Sequence, residues 1–246
     1  MRLGFRKYVN GFRSTELALF SSVPRLAIAY QIPLIWWGEN AALQLGDLGV
    51  KGKTGSDGNR LKHMNTLSGG DISWLFNEEI KQNQILQYCY PSDAEMERAN
   101  LRIVFLGYFW KDWSLVDNGK YSALRGLDIR DDSPDAIGDH HGITALDEDF
   151  TPVNQMIKYL KYGFGRVSDY VNEDIRRGRL SREEGIQLVE RYDGHVSKDY
   201  VKGFCDFIEI TVDEFWGIVE EGIDPKLFKK VTAGNYERLF KVGAGL

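Results

Sequence analysis

A few short stretches of this chain hold the side chains that can do chemistry. The first ends the apolar run Ile32-Pro33-Leu34-Ile35-Trp36-Trp37, after which Gly38, Glu39 and Asn40 follow at once. An apolar run of this length reads as a strand buried on both faces of a parallel sheet. Ligands of open α/β sheets lie beyond the carboxyl ends of the strands. Glu39 and Asn40 are therefore candidate catalytic residues, Gly38, Glu39 and Asn40 candidate cofactor contacts, and Trp37 a candidate substrate contact. The competing reading is that Gly-Glu-Asn does no more than end the strand in a turn.

The second stretch is Asp139-His140-His141-Gly142, inside an acidic, irregular segment that continues to Asp147-Glu148-Asp149. Imidazole and carboxylate groups are metal ligands, but adjacent side chains diverge, so no metal is assigned here. His140 and His141 are read as catalytic, through substrate contact or proton transfer, and Asp139 as a substrate contact. The third is Gly163-Phe164-Gly165-Arg166, which breaks two helical patterns apart. It is too short for a dinucleotide fingerprint, and Gly163, Gly165 and Arg166 are candidate substrate contacts. A glycine-rich loop from Gly46 to Gly70, with Asp47 as a further substrate candidate, reads as a lid or as a surface insertion. Its end, Ser68-Gly69-Gly70-Asp71-Ile72-Ser73, has the look of a pyrophosphate loop, but no convincing strand precedes it. Asp71 is read as the N-cap of a helix running through Trp74, Leu75, Phe76 and Ile80.

The elements that position these residues are legible from periodicity. Ser14-Thr15-Glu16 starts a helix with Leu17, Phe20, Val23, Ala27 and Tyr30 on one face, kinked or restarted at Pro24. It feeds the strand at 32–37, an α–β unit typical of parallel sheets. Pro91 to Glu97 opens a short helix with acids in its first turn, and Arg102 to Gly107 is a second buried strand with Tyr108, Phe109 and Trp110 at its end. From Thr151 to Lys230 every segment has helical period, with helices near 152–162, 166–177, 182–192, 198–209 and 212–221. Ser181 and Glu184 form a capping box, Gly178 and Gly194 stand at C-cap positions, and Arg176, Arg177, Arg179 and Arg182 read as a solvated corner or a dock for an acidic partner. The expected architecture is an α/β domain at 1–150 and an all-helical domain at 151–246.

The 246 residues suffice for one large or two modest domains. The net charge of −5 disfavours a general nucleic-acid binder, and no apolar stretch approaches a membrane span. Cys89 and Cys205 exclude a disulfide framework or a four-thiolate zinc site within the chain and suit a reducing cytoplasm.

Taken together, several segments resemble the N-acetyl sugar amidotransferase family of the PP-loop ATP pyrophosphatases. They are Ser14 to Phe20, Ile32 to Asn40, Phe105 to Trp110 and, most distinctively, Lys158-Tyr159-Leu160-Lys161-Tyr162-Gly163-Phe164-Gly165-Arg166 with Asp174-Ile175-Arg176 and Arg182-Glu183-Glu184-Gly185 behind it. The resemblance implies a three-layer, parallel-sheet fold of HUP-like type, incomplete at its N-terminus, followed by a helical module. It implies surface-glycan biosynthesis in which ATP with magnesium activates the acetamido oxygen of a nucleotide-linked N-acetyl sugar. Ammonia then yields an acetamidino group. The ammonia would come from a glutaminase subunit and a barrel subunit similar to those of imidazole glycerol phosphate synthase. The family's first strand, its Ser-Gly-Gly-x-Asp-Ser loop and its N-terminal cysteines would lie upstream of Met1. The chain is thus expected to be truncated or part of a split enzyme, and not to bind ATP productively alone. Two other readings stay open: another adenylating enzyme of this fold, acting on a small acid or tRNA, and a non-catalytic subunit that docks the glutaminase.

Overall fold

The computed structural model describes residues 1–38, 62, 67–110 and 112–244. The chain divides into two compact units. One holds Met1, Leu3 and Gly11–Trp113; the other holds Arg2, Gly4–Asn10 and Ser114–Leu246. The division falls at Ser114, which caps a helix.

In the first unit, α2 (Arg13–Ala29) runs unbroken through Pro24 and leads to β1 (Leu34–Trp37). A short helix, α3 (Asp93–Arg98), precedes β2 (Arg102–Phe105), which pairs with β1 in parallel, Leu34 opposite Arg102 and Trp37 opposite Phe105. Helix α3 begins with a capping box: Ser92 Oγ accepts from the Glu95 N–H, and Glu95 Oε2 accepts from the Ser92 N–H at 2.8 Å. Ala27, Ile35, Met96, Leu101 and Ile103 form the core, so α2 and α3 cover one face of the ribbon. The other face is open: Trp36 is 57% exposed, and Leu34 and Ile32 are exposed as well. The expected strand buried on both faces is therefore corrected to one covered on a single face. Among the described residues the parallel sheet has two strands, and the architecture is mixed α/β with small sheets and a helical C-terminal part. Of the expected apolar face of α2, Leu17, Phe20 and Ala27 are buried, while Tyr30 is exposed beyond the helix end. A turn of helix, α4 (Leu106–Phe109), follows β2.

The segment at Ser68–Gly70 is a single tight turn with Gly69 and Gly70 at φ +77° and +79°. Asp71 Oδ1 accepts the Ser73 N–H at 2.8 Å, but the N-cap position belongs to Ile72 and the element is a three-residue turn, Ser73–Leu75, not a helix reaching Ile80. The cause is local: Asn77 Oδ1 accepts from the N–H groups of Glu79 and Ile80, which turns the chain away from a helical path.

The second unit is mainly helical: α5 (Leu115–Ala123), α6 (Pro134–Ile137), α7 (Thr151–Tyr162), α8 (Arg166–Arg176), α9 (Arg182–Tyr192), α10 (Lys198–Ile208) and α11 (Val212–Gly222). The five long helices expected after Thr151 are all present, and the Ser181–Glu184 capping box forms as its spacing predicts. Gly178 and Gly194 follow α8 and α9 at φ +69° and +79°, the left-handed conformation that closes a helix. Helical period does not continue to Lys230, because β3 (Phe228–Thr232) and β4 (Asn235–Arg238) form an antiparallel hairpin turning at Gly234. The N-terminal helix α1 (Arg2–Tyr8), in a segment without clear periodicity, packs here: Phe5 stacks on Phe215 and meets Phe204 edge-on, each 5.3 Å between centroids. No helix among the described residues is long and apolar enough to cross a membrane.

Candidate functional site

In the helical unit the sequence's best cluster of reactive side chains becomes a built structure. Helix α6 starts at Ser133 with Pro134 in its first turn and ends at Gly138, φ +59°. A side chain at Gly138 would meet the His195 carbonyl at 2.5 Å, so only glycine fits that close approach. The loop then runs Asp139-His140-His141 to Gly142, also left-handed at φ +63°. Asp139, 7% exposed, organises the loop from within. Its Oδ1 accepts the backbone N–H groups of His141 (2.7 Å) and Gly142 (3.0 Å), and its Oδ2 accepts the Thr144 hydroxyl at 3.3 Å.

Bracketed by these two glycines, the adjacent histidines converge. Their ring centroids are 4.2 Å apart and their planes 38° from parallel. Both rings stand edge-on to Tyr170 of α8, at 5.7 and 5.1 Å. Both Nε2 atoms face one carboxylate oxygen, Asp174 Oδ2, at 3.6 Å from His140 and 3.0 Å from His141. Neither ring nitrogen of His140 has a hydrogen-bond partner among the described residues. One donor atom each from His140, His141 and Asp174 lie within 4.8 Å of one another.

The far side of Asp174 is pinned by Arg179, whose Nε donates to Oδ1 at 2.6 Å. Arg179 also donates to Glu173 (3.0 Å) and Asp117 (2.8 Å), and the Ser114 hydroxyl closes on Glu173. Of the four corner arginines, Arg179 thus works inside a half-buried network, while Arg177 stays exposed and pairs with Asp117 at its rim, 3.6 Å away. Burial alone would raise the Asp174 pKa, but the His141 and Arg179 hydrogen bonds overcome it and hold the carboxyl below its ordinary value. Burial and the neighbouring His141 push His140 downward, toward the neutral imidazole.

A small cleft adjoins this cluster, lined by Arg130, Asp139, Thr144, Gln155 and Arg166 among others. Neither histidine lines it. Gln155 Oε1 and Arg166 Nε are buried there without a hydrogen-bond partner among the described residues, and such atoms mark a place where a polar ligand or water is bound. Arg130 is committed elsewhere, to the Ala145 carbonyl (2.5 Å), the Glu148 carbonyl and Asp149 (3.2 Å). The Glu148 carboxylate receives the N–H groups of Phe150 and Thr151 at the start of α7.

The other candidates meet different fates. Gly163 ends α7 at φ +79° and packs against Phe240 and Leu227. Gly165 donates its N–H to Asp193 Oδ2 at 2.8 Å, and a side chain there would lie 2.6 Å from Asp193 Oδ1. Asp193 also accepts from Val167 N–H (3.1 Å) and Ser168 Oγ (2.6 Å), capping α8 from across the unit. Both glycines are accounted for by packing, and of this corner only Arg166 reaches the cleft. In the α/β unit, Trp37 is half-buried against Phe20 and Gly38 has open space beside it. Glu39, Asn40 and Asp47 lie outside the described residues, so this strand end gains no side-chain geometry.

Asp174, Tyr170, Arg179 and Asp193 were not legible as site residues. Each sits at an ordinary helical or helix-end position, and only the fold brings it to its partners. No curated protein matches this chain. Residues 143–242 match the family model described as LPS biosynthesis protein WbpG-like, C-terminal domain. That match spans α7 to β4, and with them Thr144, Gln155, Arg166 and the Asp174 that both histidines face.

Proposed function

We propose that this protein acts in lipopolysaccharide biosynthesis as an ATP-dependent amidotransferase, converting the acetamido group of a nucleotide-linked N-acetyl sugar to acetamidino. The observation that carries the reading is the match of residues 143–242 to the C-terminal domain of LPS biosynthesis proteins. The resemblance of both units to N-acetyl sugar amidotransferases sharpens it from a biosynthetic role to this reaction. An amide oxygen is a poor leaving group, and ATP with magnesium supplies the activation it lacks. Ammonia from a glutaminase, passed through a barrel subunit, must be kept from water until it reacts.

Within the helical unit, Arg166 Nε and Gln155 Oε1 are a donor and an acceptor left unpaired in one cleft. The cleft holds about 10 Å³, room for one water or one hydroxyl, and a single sugar hydroxyl, which both donates and accepts, would satisfy the pair. Asp139 keeps the wall of that cleft in shape, and His140 and His141 stand behind it. In the α/β unit, Gly38 with Glu39 and Asn40 is the proposed nucleotide end.

The test is reconstitution. The chain is combined with glutaminase, barrel subunit, glutamine, Mg-ATP and a nucleotide-linked N-acetyl sugar, with and without a polypeptide carrying a Ser-Gly-Gly-x-Asp-Ser loop. Pyrophosphate release with a product in which oxygen is replaced by NH, read by mass spectrometry, is the expected result. Arg166→Ala is expected to raise KM for the sugar more than it lowers kcat. Pyrophosphate release on a small acid or tRNA, with no sugar product, would transfer the reading to another adenylating enzyme of this type. Co-purification with the glutaminase but no turnover under any condition would leave a docking subunit.

A further inference from the structure

Between the loop Gly138–Gly142 and helix α8, one imidazole is left without a hydrogen bond beside a pair that has one, His141 and Asp174. His140 is nine-tenths buried, its side chain 10% exposed, and neither ring nitrogen has a hydrogen-bond partner among the described residues. An imidazole buried that way loses hydration at both nitrogens, and only the nearby carboxylates of Asp139 and Asp174 offset that loss. Its Nε2 nevertheless points at Asp174 Oδ2 from 3.6 Å, too far for a hydrogen bond. The neighbouring His141 aims the same atom at the same oxygen from 3.0 Å.

We propose that His140, His141 and Asp174 are a binding site for a divalent transition metal, zinc before others, that ties the Gly138–Gly142 loop to α8. Zinc bonds of about 2.0 to 2.2 Å to nitrogen and oxygen place tetrahedral ligands roughly 3.3 to 3.5 Å apart. The two nitrogen-to-oxygen separations, 3.6 and 3.0 Å, straddle that value. The three donor atoms already lie within 4.8 Å of one another. The site is supported from outside. Arg179 holds Asp174 by its other oxygen, leaving Oδ2 turned to the histidines, and Asp139 holds the His141 backbone. Outer contacts of this kind fix the ligands of metal sites. Two imidazoles and one carboxylate favour zinc or another transition ion over magnesium or calcium, which prefer oxygen ligands throughout. Three protein ligands leave a fourth position for water. The site is separate from the magnesium that accompanies ATP and does not rest on the amidotransferase reading.

Tag-free protein, stripped with chelator, is titrated with zinc and, in parallel, with magnesium and cobalt. One equivalent of zinc is expected to bind and raise Tm, with no effect of magnesium. Cobalt is expected to give tetrahedral visible bands without thiolate charge transfer. His140→Ala and Asp174→Asn are expected to lose the stoichiometric step while keeping the helical circular-dichroism spectrum. Diethylpyrocarbonate labelling of the wild-type chain guards against variants that do not fold. Zinc is expected to protect His140 and His141 and to leave the exposed His195 reactive. Equal labelling of the pair with and without zinc, or stoichiometric binding that survives both substitutions in folded protein, would overturn the site.

Discussion

Individual side chains here owe their chemistry to what surrounds them. Asp139 reads in the sequence as a substrate contact, and its carboxylate holds the backbone of its own loop while the residue lines the cleft. Cys205 shows the same dependence. It lies 1% exposed in α10, and burial, with Asp206 beside it, pushes its thiol up to about 11. Thiolate is the reactive form. Iodoacetamide at mildly alkaline pH is therefore expected to modify the half-buried Cys89 well before Cys205 in native protein, and both at similar rates in urea. Equal native rates, read by peptide mass mapping, would contradict the burial described for Cys205.

Helix ends carry much of the polar construction. Asp193 holds three donors at the start of α8, so Asp193→Ala leaves two backbone N–H groups and a hydroxyl unpaired in a buried place. A loss on the order of 3 kcal/mol is expected in urea denaturation. Gly165→Ala should also destabilise, because its new methyl meets Asp193 Oδ1. The two substitutions together are expected to cost less than their sum, since removing the carboxylate frees the space. At α9 the Ser181 N–H and hydroxyl hold Glu184 below its ordinary value of 4.5. Its folded pKa lies under its unfolded one, so this contribution is present at neutral pH and lost as pH falls through the folded value. Glu184→Gln is expected to flatten stability against pH on the acid side of about pH 5. The capping box was legible because its bonds are local, spanning three residues. The Asp193 cap was not, because it reaches back 28 positions to Gly165.

At the scale of the molecule, the helical unit closes over its own chain start. Phe5 is fully buried between Phe204 and Phe215, although it comes from the first turns of the sequence. Phe5→Ala is expected to cost about 3 to 5 kcal/mol, as large aromatic truncations in cores do. A chain starting after Asn10 should melt at lower temperature in its helical part. An unchanged Tm in both would mean that α1 is not part of this core.

Periodicity and local capping were sufficient for the sequence alone to determine the helices from Thr151 to Gly222, their stops at Gly178 and Gly194, and the strand segments at Leu34–Trp37 and Arg102–Phe105. Those features depend on residues within a turn or two of each other. Only tertiary structure decided that the strands form a ribbon covered on one face, that α1 joins the helical unit, and that His140 and His141 turn together toward Asp174. The rule that adjacent side chains diverge holds for regular backbone. It gave way here because Gly138 and Gly142 put left-handed turns on either side of the pair, and because the carboxylate they face lies 33 residues further along the chain.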